Sequence, residues 1–167
     1  PKIQAYYEQF PNVDTYNGTA SFVDNHTVEV ALNAGGQETL TAETVLIGTG
    51  ARTNVPSVPG LEEAGYVTSE TFFADAFPKK PYRSLLIIGG GPIGCEFAHI
   101  FSAAGTRVTL VQHNVRLLPK EEEEISAFLQ DQFRHLGVTL LLNKETIQVR
   151  REGDRKILRV RDRATGE

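Results

Sequence analysis

The chain has 167 residues, enough for one hydrophobic core or for pieces of two domains. Its formal net charge of −4 argues against nucleic acid or an anionic membrane surface as a partner. No apolar run approaches the ~18 residues of a membrane span, no signal-peptide pattern is present, and a single cysteine excludes an internal disulfide or a Cys-pair metal site. The expectation is therefore a cytoplasmic protein with no metal site. The sequence starts at Pro1, contains no methionine and stops at Gly166-Glu167, which reads as an excised internal piece of a longer chain.

Ile3 to Phe10 reads as the tail of a helix ended by Pro11. Thr15 to Val23 reads as extended chain with a turn or bulge at Asn17-Gly18, and Asp24-Asn25 as a turn. Thr27 to Leu32 alternates, with Val28, Val30 and Leu32 on one face; Asn33 to Gly36 turns the chain, and Gln37 to Thr41 is a further short strand. Together these predict a small antiparallel meander. An apolar run, Thr44 to Ile47, then enters Gly48-Thr49-Gly50, and a proline-punctuated loop covers Arg52 to Gly60. Glu70 to Ala76 predicts a short helix. Pro78-Lys79-Lys80-Pro81 has linker composition and marks a domain boundary, giving domains 1–78 and 79–167.

Ser84 to Gln112 carries the strongest signal. Leu85, Leu86, Ile87 and Ile88 form an apolar run that breaks into Gly89-Gly90-Gly91-Pro92-Ile93-Gly94; an amphipathic segment, Gly105 and a second apolar run from Val108 to Val111 follow. A glycine fingerprint that leaves a strand, opens a helix and leads to another strand is the phosphate-binding turn of a Rossmann-like βαβ unit. Gly89 allows the sharp turn, Gly91 leaves room for a pyrophosphate, and Gly94 lets the helix sit close to the sheet. Pro92 suits the first helical turn, whose free N–H groups attract an anion without any basic side chain. Ile93, Phe97, Ile100 and Phe101 are spaced to form one face against the sheet.

Leu117-Leu118-Pro119 precedes Glu121 to Glu124, an acidic start that a helix dipole favours. Ile125, Phe128, Leu129, Phe133 and Leu136 make a helical stripe ended by Gly137. Val138 to Leu142 predicts a third parallel strand, and Thr146 to Val149 with Lys156 to Val160 predicts a hairpin around Gly153-Asp154. The fold class is α/β: a Rossmann-like dinucleotide domain plus the antiparallel meander.

Three motifs in this order resemble the flavin-dependent pyridine nucleotide–disulfide oxidoreductases: Val45-Leu46-Ile47-Gly48-Thr49-Gly50-Ala51 followed by Val55-Pro56-Ser57-Val58-Pro59-Gly60; Gly89 through Ala98; and Arg116-Leu117-Leu118-Pro119 before an acidic helix. The resemblance implies that residues 1–78 close an incomplete FAD domain and 79–167 make most of an NAD(P)H domain. It implies an enzyme that passes hydride from NAD(P)H through FAD to a disulfide or metal-ion acceptor, mercuric reductase-like, with dihydrolipoamide dehydrogenase or a non-catalytic NAD(P)H-binding module as alternatives. The redox dithiol and the catalytic His-Glu pair of the family have no counterpart here, so no catalytic residue is assigned. The implied partners are the small-molecule cofactors and acceptor, with a homodimer as the full-length state.

Site residues follow from both readings. The glycine turn, Gly89, Gly90, Gly91, Pro92, Ile93 and Gly94, holds the dinucleotide. Glu96 is a first-turn glutamate, and the resemblance places the matching acid near the nicotinamide. Gln112 ends the second strand, where an acid binds the adenosine ribose of NAD; a neutral amide there, with His113 and Arg116 nearby, turns the expectation toward NADP over NAD. The alternative is that Gln112 still bonds a ribose and Arg116 is a surface arginine. By resemblance, Ile147 lines the adenine pocket, and Thr19, Ala20, Thr49, Gly50 and Ala51 meet the FAD nucleotide. Cys95 reads as a packing residue rather than a redox thiol.

Overall fold

The computed structural model describes residues 2–74 and 77–167, and the chain divides into two compact units, Pro1–Ala51 and Arg52–Glu167. In the first unit a helix, α1 (Lys2–Tyr7), precedes three antiparallel strands, β1 (Gly18–Phe22), β2 (Thr27–Leu32) and β3 (Gln37–Thr41), in the order β1-β2-β3. Asp24 sets the first turn: its Oδ1 accepts the backbone N–H groups of His26 and Thr27, both at 2.8 Å. Those donors stabilise the carboxylate and hold its pKa below the usual value. The register then pairs Ala20 with Val30 and Val28 with Leu40. β1 starts only at Gly18, not at Thr15, and the Asn33 N–H donates to Asn17 O at 2.9 Å beside its first pair, Gly18 with Leu32. The apolar residues Leu46 and Ile47 belong to no strand and are 92% and 68% exposed.

The second unit opens with the proline loop and two short helices, α2 (Leu61–Ala64) and α3 (Ser69–Ala74). The expected helix through Ala76 extends beyond α3 into residues 75 and 76, outside the described residues. Thr68 and Thr71 cap α3 reciprocally, each backbone N–H bonding the other's hydroxyl. A parallel sheet follows, built from β4 (Ser84–Ile88), β5 (Arg107–Gln112) and β6 (Thr139–Leu142) in the order β4-β5-β6. Helix α4 (Pro92–Ala103) connects the first two strands and α5 (Glu123–His135) the next two. The predicted hairpin is present and longer than expected: β7 (Lys144–Glu152) pairs with β8 (Arg155–Asp162), with a register irregularity between Thr146 and Gln148.

The core sits between the parallel sheet and α3, α4 and α5. Phe72, Cys95, Ala98, Phe101, Val108, Leu110, Leu117, Phe133 and Val138 are buried there. Phe72 meets the rings of Phe97 and Phe101 edge-on at 5.0 and 5.7 Å, which fastens α3 to α4. A second cluster joins Leu61, Ala64 and Val149, and the Val149 N–H donates to Pro59 O.

Both long helices correct the expected packing faces. On α4 the residues turned to the core are Cys95, Ala98 and Phe101, with Phe97 at the margin, while Ile93 and Ile100 are 55% and 60% exposed. Gly94 is the closest approach of the helix, where a methyl would lie 2.0 Å from Gly89 O, and the core face that follows it runs through Cys95, Ala98 and Phe101. On α5 the buried residues are Ser126 and Phe133, with Leu129 half-buried, whereas Ile125, Phe128 and Leu136 face out. Ser126 and Gln130 are drawn inward by hydrogen bonds to the preceding loop, which fixes the rotation of the helix.

Candidate functional site

The carboxyl end of β4 enters the glycine turn, and each glycine has a separate geometric reason to be there. Gly89 has φ +110°, a conformation that L side chains rarely adopt. A methyl on Gly90 would lie 2.5 Å from Leu117 Cδ2, so this position lets the loop after β5 close over the turn. A methyl on Gly94 would lie 2.0 Å from Gly89 O, which makes it the contact point of helix and strand. Gly91 differs from both: a methyl there would meet nothing within 4 Å. Gly91 is also the N-cap of α4, with no side-chain cap and with Pro92 beginning the helix. The turn therefore offers open space in front of unpaired backbone N–H groups at the positive end of a 12-residue helix. This suits a pyrophosphate, and the fit depends on backbone atoms alone.

Ile93 and Glu96 lie on the exposed side of the first turns of α4. Cys95 points the other way. Its side chain is buried, Sγ donates to Gly90 O at 3.6 Å, and burial with the nearby Glu96 charge pushes the thiol up to about 11. The protonated form is thus the resident one at neutral pH, which agrees with a packing role. We expect alkylation of Cys95 by iodoacetamide at pH 8 in the folded protein to run about two orders of magnitude slower than for a free thiol, because the thiolate is that much scarcer. A rate equal to that of the unfolded chain would contradict this burial.

The loop after β5 is held by several side-chain and backbone hydrogen bonds. Gln112 is buried, and its side chain folds back on the loop: Oε1 accepts the His113 N–H at 3.1 Å and Nε2 donates to Arg116 O at 3.4 Å. The Arg116 guanidinium donates to Pro119 O at 3.2 Å and to Glu121 O at 3.1 Å. Leu117 N–H donates to Gln130 Oε1, Leu118 N–H donates to Gly90 O, and Ser126 Oγ donates to Leu118 O. Arg116, expected as a cation facing a ligand phosphate, thus spends Nη2 on its own loop, with the Glu123 carboxylate 3.9 Å from Nη1. The glycine turn, Gln112 and His113 are brought together at the carboxyl end of the parallel sheet, where ligands bind in open α/β folds.

Ile147 is half-buried at the irregular position of β7. Beside it the Thr146 hydroxyl is buried without a hydrogen-bond partner, a feature with no signal in the local sequence. In the first unit Thr19 and Ala20 lie on β1, paired with Ala31 and Val30. Thr49, Gly50 and Ala51 form an exposed segment without regular structure, in which Gly50 has φ +73°. Among the described residues no group of three or more His, Cys, Asp or Glu side chains is arranged to hold a metal ion.

The sequence profile of one family, the pyridine nucleotide-disulphide oxidoreductases, matches residues 2–166. The chain belongs to this family. A mercuric reductase of Streptomyces lividans is 42% identical over 138 residues, which make up 83% of this chain and 28% of that protein. A dihydrolipoyl dehydrogenase of Mycobacterium tuberculosis is 35% identical over 75% of this chain and 26% of its own length. Among solved structures, the Cu(II) complex of the HOCl-induced flavoprotein disulfide reductase RclA from Escherichia coli superposes with a TM-score of 0.74 at 30% identity, covering 95% of this chain and 35% of that one. The chain thus spans about a quarter to a third of these relatives, and its mixed α/β fold is one found in flavoprotein disulfide reductases. Among the described residues no helix is long and apolar enough to cross a membrane.

Proposed function

We propose that this chain is the nucleotide-seating part of an NAD(P)H-dependent flavoprotein that reduces a disulfide or a metal ion, with a mercuric reductase-like acceptor favoured. The observation that carries the reading is the contrast within the glycine turn: Gly94 is filled by the strand it packs on, while Gly91 is open in front of the α4 N-terminus. Family membership supplies the class of chemistry. In the bound enzyme the nicotinamide provides the hydride and the flavin accepts it. This chain's own work is binding and orientation. The α4 amides hold the pyrophosphate, the Gln112–Leu118 loop positions the adenosine end, and Glu96 stands on the exposed first turn from which it acts toward the nicotinamide. Residues 79–167 form the NAD(P)H side; residues 1–78, including Thr19, Ala20 and Thr49–Ala51, form part of the FAD side. The whole enzyme is a cytoplasmic homodimer in this proposal.

Mixing the whole protein anaerobically with NADPH or NADH tests the reading. The expected result is rapid bleaching of the flavin absorbance, followed by reoxidation on adding Hg(II) or a disulfide. Purification of a colourless protein that takes up no FAD would sink it. Reoxidation by lipoamide but not by Hg(II) would move the acceptor to the dihydrolipoyl dehydrogenase type.

A further inference from the structure

We infer that Arg163 supplies the cation that reads the adenosine end of the dinucleotide, and so favours a 2′-phosphorylated nucleotide; the inference rests on the dinucleotide seat proposed at Gly89–Gly94. The nearest cation in sequence, Arg116, is occupied with Pro119 O and Glu121 O. Lys144 is occupied with Asp162. Arg163 reaches the same region from another element. It follows the last residue of β8, and this end of the hairpin is stitched to the loop after β5. Asn143 N–H donates to Asn114 O at 2.8 Å, Arg163 N–H donates to Asn143 O at 3.0 Å, and Arg163 Nη1 donates to His113 O at 2.8 Å.

His113 immediately follows Gln112, the strand-end residue beside which the adenosine ribose is seated in this class of fold. The Arg163 guanidinium is therefore anchored at that ribose position by one of its five N–H groups. Glu145 is near enough to feel the Arg163 charge, but its carboxylate is held by Arg161 at 2.6 Å. The remaining face of the planar fork matches the oxygens of a phosphate. The stretch from Gln112 to Pro119 contains no acid to repel one. Arg163 lies 51 residues after Gln112 in sequence, so no local motif points to it.

Titration of the whole flavoprotein with NADPH and NADH tests the assignment. Wild type should bind NADPH more tightly, and that preference should shrink as ionic strength rises. Arg163→Ala should weaken NADPH by about tenfold and leave NADH within about twofold, the loss expected for a charge-assisted phosphate contact. Arg163→Lys should recover part of the NADPH affinity, and Arg116→Ala should weaken both nucleotides equally. Equal weakening of both by Arg163→Ala would make Arg163 a loop fastener and overturn the inference, as would no change, or a wild-type preference for NADH. A wild-type protein that holds flavin but binds neither nucleotide would overturn the glycine-turn seat itself, so the two failures read differently.

Discussion

Gly91→Ala should fold as the wild type does and bind NAD(P)H about tenfold to hundredfold more weakly, the penalty for forcing a methyl group into a closely fitted contact. The fold is spared because φ at Gly91 is −79°, ordinary for alanine, and the new methyl meets no protein atom within 4 Å. Binding should fall because the proposed seat brings the pyrophosphate to the α4 amides through that space. Gly94→Ala should behave in the opposite order. Its methyl would sit 2.0 Å from Gly89 O, a backbone atom, so the helix must lift from the strand, with a stability cost of about 1–3 kcal/mol or more. Thermal melting and nucleotide titration of the two variants separate the effects. A Gly91→Ala protein with unchanged melting and unchanged affinity would place the pyrophosphate elsewhere.

The parts legible in the sequence are those where local chemistry alone decides the structure. Gly89 to Gly94 declared the turn and the parallel pairing around it, because a left-handed turn at Gly89 and the close helix contact at Gly94 each require glycine. Strand alternation from Val28 to Leu32 was legible for the same local reason. What stayed hidden depends on side-chain partners that hydrophobic spacing does not encode. The apolar spacing of Ile93, Ile100, Ile125 and Phe128 is helical, yet all four face out, because Gly94 and the inward hydrogen bonds of Ser126 and Gln130 choose the rotation. Arg116 lies four residues beyond Gln112, but the carbonyls of Pro119 and Glu121 claim it. Arg163 reaches His113 O beside the end of β5 only through hairpin pairing. Hydrophobic periodicity identifies a helix; which face it buries is set by the closest contacts, backbone to backbone at Gly94 and side chain to backbone at Ser126 and Gln130.

Phe133→Ala should cost about 3–5 kcal/mol of stability, and the loss should reach the nucleotide loop as well as the core. Phe133 is 1% exposed and is the one large side chain that α5 buries completely. Its carbonyl accepts the Val138 N–H, so the same residue ties the end of α5 to the chain leading into β6. With Ile125, Phe128 and Leu136 facing out, the half-buried Leu129 and the hydrogen bonds of Ser126 and Gln130 are what else holds the helix in place. Release of α5 would loosen Gln130 and Ser126, which hold Leu117 and Leu118 against the glycine turn. Denaturant unfolding should therefore show the stability loss, and hydrogen exchange should show faster opening at Leu117 and Leu118, 15 or more residues away in sequence. Phe128→Ala is the matched control. That ring is 66% exposed, so its removal should change stability by no more than about 0.5 kcal/mol. Equal costs for the two substitutions would mean that α5 packs on its sequence stripe after all, and the rotation set by Ser126 and Gln130 would be wrong.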